Sequence, residues 1–273
     1  MKKLFTLALL VLSASCMAQQ DFSNVEIIPH QLSDNIYYLE GQGGNIGVSI
    51  GADGVFIVDD QFAPLSEKIL DALESLSSEP LRFVLNTHNH GDHVGGNANM
   101  AREGAVIIAH ENVRKILAAG FTGGDLSQAL TAEQSMSLPI VTFTDSVDLH
   151  FNGDSIHVFY NGLGHTSGDA FVFFREDNII HTSDVFRTTS YPRVDTASGG
   201  SFHGIVASYE KLLEVSNAQT RFLPGHGVVS SQADVREQLQ MFITIRNRVR
   251  NAINQGMNLE QILGAGLTAE YDA

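Results

Sequence analysis

The sequence concentrates potential metal ligands in one short segment. Three histidines and one aspartate lie within six residues, at His88, His90, Asp92 and His93. Imidazole nitrogens and carboxylate oxygens are typical zinc ligands. His88 and His90 are two residues apart at an expected strand end, so both side chains can point toward one ion. Asp92 and His93 follow the bend at Gly91 and can face a second ion.

Two catalytic ions need more ligands than this segment supplies, because each is expected to bind about three protein groups and to keep one position open. Three further residues lie at expected strand ends or in loops, next to glycines that let the backbone turn sharply. They are His165, Asp184 and His226. The single cysteine, Cys16, lies in the amino-terminal segment, so we expect no cysteine nucleophile or ligand after removal of that segment.

Hydrophobic spacing predicts the elements that must position these residues. Apolar, β-prone runs alternate with stretches of helical spacing, which is typical of an α/β protein. Strands are expected at residues 36–39, 47–50, 55–58, 82–85, 105–108, 147–151, 156–159, 171–174 and 179–180. Helices are expected at residues 66–76, 111–118, 204–215 and 233–254. Residues 120–130 lack clear periodicity and are either a lid or a plain connection.

Residues 19–273 are expected to form a single domain. No Pro- or Ser-rich linker separates the two βα-rich halves. The chain has 273 residues, of which 43% are apolar, and it can therefore bury a sizeable core. Beyond the amino-terminal segment no apolar run reaches about 18 residues, so we expect no transmembrane helix in the mature chain.

Residues 1–18 have the pattern of an export signal. Lys2 and Lys3 precede an apolar segment at residues 4–12, and small residues follow up to Ala18. Cleavage after Ala18 would release a periplasmic protein. The second route, lipid anchoring through Cys16, is less favoured because a lipoprotein signal usually has leucine where Ser13 stands.

The charge of the chain bears on its partners. With 16 basic and 31 acidic residues, the formal net charge is −15 at pH 7. Such a surface repels phosphate backbones, so nucleic acid is not expected as a partner. The expected partner is a small-molecule substrate, and the composition gives no indication of an oligomeric state.

Four short motifs occur in a fixed order along the chain: H-x-H-x-D-H, G-H-T-x-G-D, S-D-x-F and P-G-H-G. Over residues 35–226 they resemble the metallo-β-lactamase superfamily. The resemblance implies an α/β fold in the form of a four-layer αββα sandwich. In that sandwich two sheets pack together, helices lie outside, and the metal site runs along one edge of the sheets.

The resemblance also implies a set of roles for the ligands. One zinc ion would be held by His88, His90 and His165. The other would be held by Asp92, His93 and His226, with Asp184 bridging the two. Asp59, which ends an expected strand, would orient the ligand loop from behind.

The sequence departs from the β-lactamases at informative positions. The common clinical subclass has cysteine where Asp184 stands and lacks the histidine at His93, so the ligand set looks more like glyoxalase II and related esterases. The spacing from His165 to Asp184 and on to His226 nevertheless fits the clinical subclass. Arg187 stands where those enzymes carry a lysine that grips the substrate carboxylate. The sequence therefore lies between the two groups.

The expected function is hydrolysis of an amide-type or ester-type carbonyl bond by water that two zinc ions activate. Asp92 and Asp184 are the expected catalytic residues. Arg187, Phe62 and His203 are expected to contact an anionic substrate, with Phe62 at the tip of a possible lid. β-Lactam-type amides are the first substrate class, and lactones or thioesters the second. A non-catalytic zinc-binding or ligand-binding protein is the alternative of a different class.

Overall fold

The computed structural model describes residues 21–125 and 127–272. The expected export signal, with Cys16, lies outside these residues. The strands are β1 (Ile28–Gln31), β2 (Ile36–Glu40), β3 (Ile46–Gly51), β4 (Gly54–Val58), β5 (Leu81–Asn86), β6 (Val106–His110), β7 (Val141–Phe143), β8 (Ser146–Phe151), β9 (Asp154–Tyr160), β10 (Ala170–Phe174), β11 (Ile179–His181), β12 (Arg221–Leu223) and β13 (Ser230–Ser231). The helices are α1 (Ser66–Leu76), α2 (Gly91–Val94), α3 (Asn97–Arg102), α4 (Glu111–Thr122), α5 (Ala132–Met136), α6 (Phe202–Val215), α7 (Gln232–Asn254) and α8 (Leu259–Gly264).

The strands form two sheets. The first contains seven strands in the order β1-β2-β3-β4-β5-β6-β7, and the second contains six in the order β13-β12-β11-β10-β9-β8. The pairs β4–β5, β5–β6 and β6–β7 are parallel, as is the pair β11–β12. Parallel neighbours end at the same edge of a sheet, so residues that follow these strands are brought close together.

The two sheets pack face to face through apolar side chains. Every residue of β4 is buried, because alternate side chains of this central strand enter different apolar layers. Phe56 and Val58 point to the second sheet, where they join Ile156 and Val172 in one apolar cluster. A core between the sheets is the result.

Helices cover the outer face of each sheet. On the first sheet, Ile57 of β4 lies in one cluster with Ile69 of α1. On the second sheet, Phe171 of β10 lies in one cluster with Tyr209 of α6 and Phe242 of α7. The expected four-layer αββα sandwich is therefore confirmed.

The nine expected strands and the four expected helices all occur, with small differences at their ends, whereas the strands β1, β7, β12 and β13 were not predicted. The largest difference is at α4, which continues to Thr122 rather than ending near residue 118. It ends where Gly123 takes up the left-handed conformation, with φ of 61°. Among the described residues, no helix is both long and apolar enough to cross a lipid bilayer.

Candidate metal centre

The seven expected ligands follow strands or lie in loops at one edge of the sandwich. His88 and His90 follow β5, and α2 carries Asp92 and His93. From the second sheet come His165, in the loop between β9 and β10, Asp184, which follows β11, and His226, which follows β12. The structure brings all seven side chains together, in three overlapping groups whose ligand atoms lie within 4.8 Å of one another.

The first group consists of His88, His90 and His165. The Nδ1 atom of His90 lies 3.1 Å from Nε2 of His88 and 2.9 Å from Nε2 of His165. His88 and His165 are fully buried, whereas His90 is partly exposed. Three imidazole nitrogens thus converge on one point at the end of β5, which is a suitable geometry for one cation.

The second group consists of Asp92, His93 and His226. The Oδ2 atom of Asp92 lies 3.2 Å from Nε2 of His226 and 3.7 Å from Nε2 of His93. The Asp92 side chain is 29% exposed, so this group faces solvent on one side. Two imidazoles and a carboxylate converge here beside the first group.

Asp184 lies between the two groups. Its Oδ1 atom is 3.3 Å from Nε2 of His93 and 3.4 Å from Nε2 of His226, both in the second group. Its Oδ2 atom is 3.7 Å from Nε2 of His165, in the first group. Each carboxylate oxygen therefore faces a different group.

Two buried atoms support a cation between His93 and Asp184. Nε2 of His93 and Oδ1 of Asp184 are both buried and neither makes a hydrogen bond. A buried polar atom without a partner costs free energy, and a cation between these two atoms would satisfy both. The donor set, histidine nitrogen and carboxylate oxygen, suits a divalent transition metal.

Two glycines give the ligands the space they occupy. A Cβ atom at Gly44 would overlap the ring of His93, and a Cβ atom at Gly225 would overlap Oδ1 of Asp184. Glycine is therefore required at both positions for the side chains to take these places.

The charges of the centre are set by burial and by the ligands themselves. Burial would lower the pKa of His93, but the Asp184 and Asp59 carboxylates outweigh it and raise that pKa well above its usual value. Burial would raise the pKa of Asp92, but the hydrogen bond from His226 and the charge of His93 lower it to about 2. The neighbouring carboxylates thus favour a positive charge at this place, which a bound cation would supply.

Two histidines of the first group, His88 and His165, have lowered pKa values. Burial is the main cause that lowers the pKa of His165 to about 4. Burial, reinforced by neighbouring His93, holds the pKa of His88 well below its usual value. Neutral imidazoles offer a free lone pair to a cation at neutral pH.

Asp59 lies behind the ligands, where the resemblance places it. Its Oδ2 atom accepts a hydrogen bond from Nδ1 of His93 at 2.7 Å. The backbone N–H and the hydroxyl of Thr87 also donate to this carboxylate, at 2.7 and 2.8 Å. Asp59 is fully buried and has a positive φ of 68°. Its side chain fixes the ring of His93 so that Nε2 points into the centre.

Sequence reasoning missed further residues that orient ligands. Asp195, in the loop before α6, accepts a hydrogen bond from Nε2 of His90 at 2.8 Å. The backbone carbonyl of Arg193, in the same loop, lies 2.6 Å from Nδ1 of His165 and accepts its proton. No local pattern marks either residue, because both contacts depend on how a distant loop folds over the centre.

Asn45 is a second residue that the sequence did not single out. It lies in the loop between β2 and β3, and its Nδ2 donates to the carbonyls of Pro224 and Gly227, each at 2.9 Å. Its backbone N–H donates to the carbonyl of Gly225 at 2.6 Å. The loop that carries His226 is therefore fixed to the first sheet.

The three residues expected at the substrate have different surroundings. Nη1 of Arg187 lies 3.2 Å from Oδ2 of Asp184, so Arg187 is part of the centre. Phe62 instead packs against Phe22, with ring centroids 5.1 Å apart, in the cluster between the first sheet and α1. His203 is exposed on the first turn of α6, beside Phe202. Phe62 and His203 are therefore not part of the proposed substrate site.

Comparisons with known proteins point to one family and one fold. A metallo-beta-lactamase type 2 of Bacteroides fragilis is 23% identical over 244 residues, which are 83% of this chain and 90% of that protein. The alpha subunit of 2,4-dinitroanisole O-demethylase of a Nocardioides species is 22% identical over 213 residues, which are 77% of this chain and 60% of that subunit. The solved structure of a metallo-beta-lactamase from Pontibacter korlensis matches with a TM-score of 0.66 at 18% identity, covering 80% of this chain and 99% of that one.

The family model of the metallo-beta-lactamase superfamily matches residues 37–227, which include all seven clustered ligands. That match spans well over half of the chain, and the groups His88–His90–His165 and Asp92–His93–His226 lie inside it. The chain therefore belongs to the metallo-beta-lactamase superfamily and is a metallo-hydrolase.

Proposed function

We propose that the protein is a two-zinc hydrolase that cleaves an activated carbonyl bond, with β-lactam-type amides as its first substrate class. The observation that carries this proposal is the position of Asp184, whose Oδ1 atom faces His93 and His226 while its Oδ2 atom faces His165. A carboxylate placed in this way can bridge two ions.

The proposed ligands divide into two sets. His88 Nε2, His90 Nδ1 and His165 Nε2 would hold the first ion, and Asp92 Oδ2, His93 Nε2 and His226 Nε2 the second, with Asp184 shared. When bound, the two ions would lower the pKa of a water molecule toward neutrality and polarise the carbonyl of the substrate. The second oxygen of Asp92, which is partly exposed, can accept a hydrogen bond from that water and orient it toward the carbonyl carbon.

Arg187 is the proposed contact for an anionic group of the substrate. Its side chain is 19% exposed and its guanidinium lies beside Asp184. The planar fork of arginine suits a carboxylate, which gives the substrate a fixed orientation at the centre. The backbone of Arg187 is held in turn by Gln238 of α7, whose Nε2 donates to the Arg187 carbonyl at 2.9 Å.

Lactones or thioesters are the second substrate class, because one observation favours them. The resemblance described above associates a bridging aspartate and a histidine at position 93 with glyoxalase II and related esterases. Asp184 lies between the two candidate groups, with its Oδ1 atom 3.3 Å from Nε2 of His93, which supports such a bridging role. The long match to the Bacteroides fragilis protein, which is named a metallo-beta-lactamase, supports the first class.

We also propose that the protein acts in the periplasm after cleavage behind Ala18, with residues 19–273 working as one domain. The pattern of residues 1–18 supports export. The ligands come from both sheets, and the core between the sheets takes side chains from both, which supports a single domain.

A hydrolysis panel tests the proposed function. Protein whose zinc content has been measured is assayed with a chromogenic cephalosporin, a carbapenem, a homoserine lactone and S-lactoylglutathione. His88→Ala and Asp184→Ala are assayed beside it, since each removes one proposed ligand. Glu210→Gln, on the exposed face of α6, is the matched control.

The outcomes distinguish the substrate classes. Turnover of a β-lactam that both ligand variants lose and the control keeps would support the first class. Turnover of the lactone or thioester alone would move the protein to the second class. No turnover with two zinc ions bound would contradict the enzyme proposal and favour a zinc-binding or ligand-binding protein.

A further inference from the structure

A chain of buried hydrogen bonds runs beneath the candidate metal centre. The hydroxyl of Ser183 donates to Oγ1 of Thr87 at 2.8 Å, and the hydroxyl of Thr87 donates to Oδ2 of Asp59 at 2.8 Å. Nδ1 of His88 lies 3.1 Å from the Ser183 oxygen and also 3.1 Å from Oγ1 of Thr87. At the other end, Nδ1 of His93 is 2.7 Å from Oδ2 of Asp59. All five residues are fully buried.

The Asp59 carboxylate accepts every hydrogen bond made to it, and this sets the direction of the protons that lead to it. The Nε2 atoms of His88 and His93 face the centre, so in each neutral ring the proton belongs on Nδ1. His88 then donates to the hydroxyl oxygens of Ser183 and Thr87, which are equally close to its Nδ1. Ser183 donates to Thr87, and Thr87 donates to the carboxylate of Asp59. His93 donates to the same carboxylate oxygen directly. Hydrogen bonds linked in this way polarise one another in a buried environment.

We propose that Ser183 is a positioning residue that fixes the proton of His88 on Nδ1 and connects this histidine to Asp59. One carboxylate would thereby orient a histidine in each of the two candidate sites, directly at His93 and through two hydroxyls at His88. The inference rests on the proposed assignment of two zinc ions to the centre.

The backbone of Ser183 supports this role. Its φ is 54°, a conformation that residues other than glycine rarely adopt. Glycine would be the unstrained choice at this position, yet a serine occupies it, and its hydroxyl contacts both Thr87 and His88. Asp184 is the next residue in the same turn. This turn therefore positions both the proposed bridging ligand and the hydroxyl of Ser183.

The test separates the hydroxyl from the backbone. Ser183→Gly removes the hydroxyl while relaxing the backbone, so folding is retained; Ser183→Ala removes it and keeps Cβ. Asp59→Asn removes the shared charge at a φ that asparagine tolerates. Ser49→Ala, at a buried serine of β3 whose oxygen contacts Asn152, is the matched control.

Two measurements are made on each variant. Competition with a chromophoric chelator gives the zinc affinity of each site, and ¹⁵N-edited NMR of the zinc-loaded protein follows the ring N–H protons of His88 and His93. Both serine variants are expected to weaken one zinc site about 10-fold to 100-fold and to leave the other unchanged. In both, the His88 proton signal shifts or exchanges faster while that of His93 stays, whereas Asp59→Asn weakens both sites.

Contrary results separate this inference from the proposed function. Unchanged affinities and an unchanged His88 signal in both serine variants, with two zinc ions bound to the wild type, would overturn the role of Ser183 alone. An equal loss at both sites, or a loss in Ser183→Gly but not in Ser183→Ala, would also overturn it. A wild-type protein that binds fewer than two zinc ions would overturn the inference and the proposed function together.

Discussion

The two ring nitrogens of His90 make different contacts. Nδ1 faces the nitrogens of His88 and His165, at 3.1 and 2.9 Å, whereas Nε2 donates to Asp195 at 2.8 Å. The hydrogen bond to His90 is the main cause that holds the pKa of Asp195 well below its usual value. An ionised carboxylate behind an imidazole fixes the ring and makes its other nitrogen a better metal ligand.

Replacing Asp195 with asparagine tests this contact. Asp195→Asn keeps an oxygen that can accept the proton of His90 but removes the negative charge. We expect zinc affinity to fall about 10-fold or more, with little change in thermal stability of the zinc-free protein. Competition with a chelator measures the affinity, and Glu210→Gln is the control. Zinc affinity equal to that of the wild type would contradict a role of this charge.

At the scale of elements, α4 shows how a histidine outside the centre acts in the fold. His110 ends β6 and is the N-cap of α4, where its Nδ1 accepts a hydrogen bond from the backbone N–H of Asn112 at 3.3 Å. Its Nε2 donates to the carbonyl of Thr144 at 3.0 Å. The contact with Asn112 requires the neutral ring, because Nδ1 must keep its lone pair to accept, and burial is the main cause that lowers the pKa of His110.

This contact predicts a pH dependence of stability. The pKa of His110 is lower in the folded chain than the unperturbed value of 6.5, so its stabilising contribution is present above pH 6.5 and is lost as pH falls below it. His110→Asn keeps a capping oxygen and removes the titration. Urea unfolding of the zinc-free proteins at pH 8 and pH 5.5 should therefore show the variant gaining relative stability in acid. If the free energies of unfolding of the variant and the wild type differed by the same amount at both pH values, the prediction would be refuted.

The elements themselves were largely predictable. The continuous apolar run of β4 and the helical spacing in α1, α6 and α7 reflect local burial, and the structure has strands and helices there. Short elements such as α2 and β13 escaped prediction because four or two residues carry too little periodicity. The predicted end of α4, near residue 118, was wrong, because the helix ends at Gly123 rather than where the apolar spacing is lost.

At the scale of the whole molecule, the centre depends on contacts between the two sheets. Asn45 of the first sheet's loop and Pro224 of the second sheet's loop are 179 residues apart in sequence, yet their hydrogen bond is 2.9 Å long. His181 of β11 adds a contact, since its Nε2 lies 3.0 Å from the carbonyl of Asn45. These bonds hold the ligand His226 against the ligands that follow β5.

Loss of the Asn45 side-chain hydrogen bonds should lower both the stability of the fold and the zinc affinity of the centre. In Asn45→Ala, the carbonyls of Pro224 and Gly227 lose their donor, so we expect the free energy of unfolding to fall by about 1–3 kcal/mol. Zinc affinity should fall as well, because His226 is less well fixed. Urea unfolding and chelator competition measure the two effects. Asn254→Ala, exposed at the end of α7, is the control, and equal stability of both variants would contradict the prediction.

The sequence by itself predicted the candidate ligands and the fold class. His88, His90, Asp92 and His93 lie within six residues, so local geometry alone keeps them close, and their chemistry predicts a metal centre. His165, Asp184 and His226 were found because short motifs surround them. The alternation of strands and helices, which sets the layers, is also a local property of the chain.

Only the tertiary structure decided which residues orient these ligands and which side chains lie at the centre. Asp195 contacts His90, which is 105 residues away in sequence, and Ser183 contacts His88, which is 95 residues away. No local sequence pattern predicts such contacts. Phe62 was expected at the tip of a lid but packs against Phe22, in the cluster between the first sheet and α1. The candidate ligands can be recognised from the local sequence, whereas the orientation of their side chains depends on how the two sheets pack against each other.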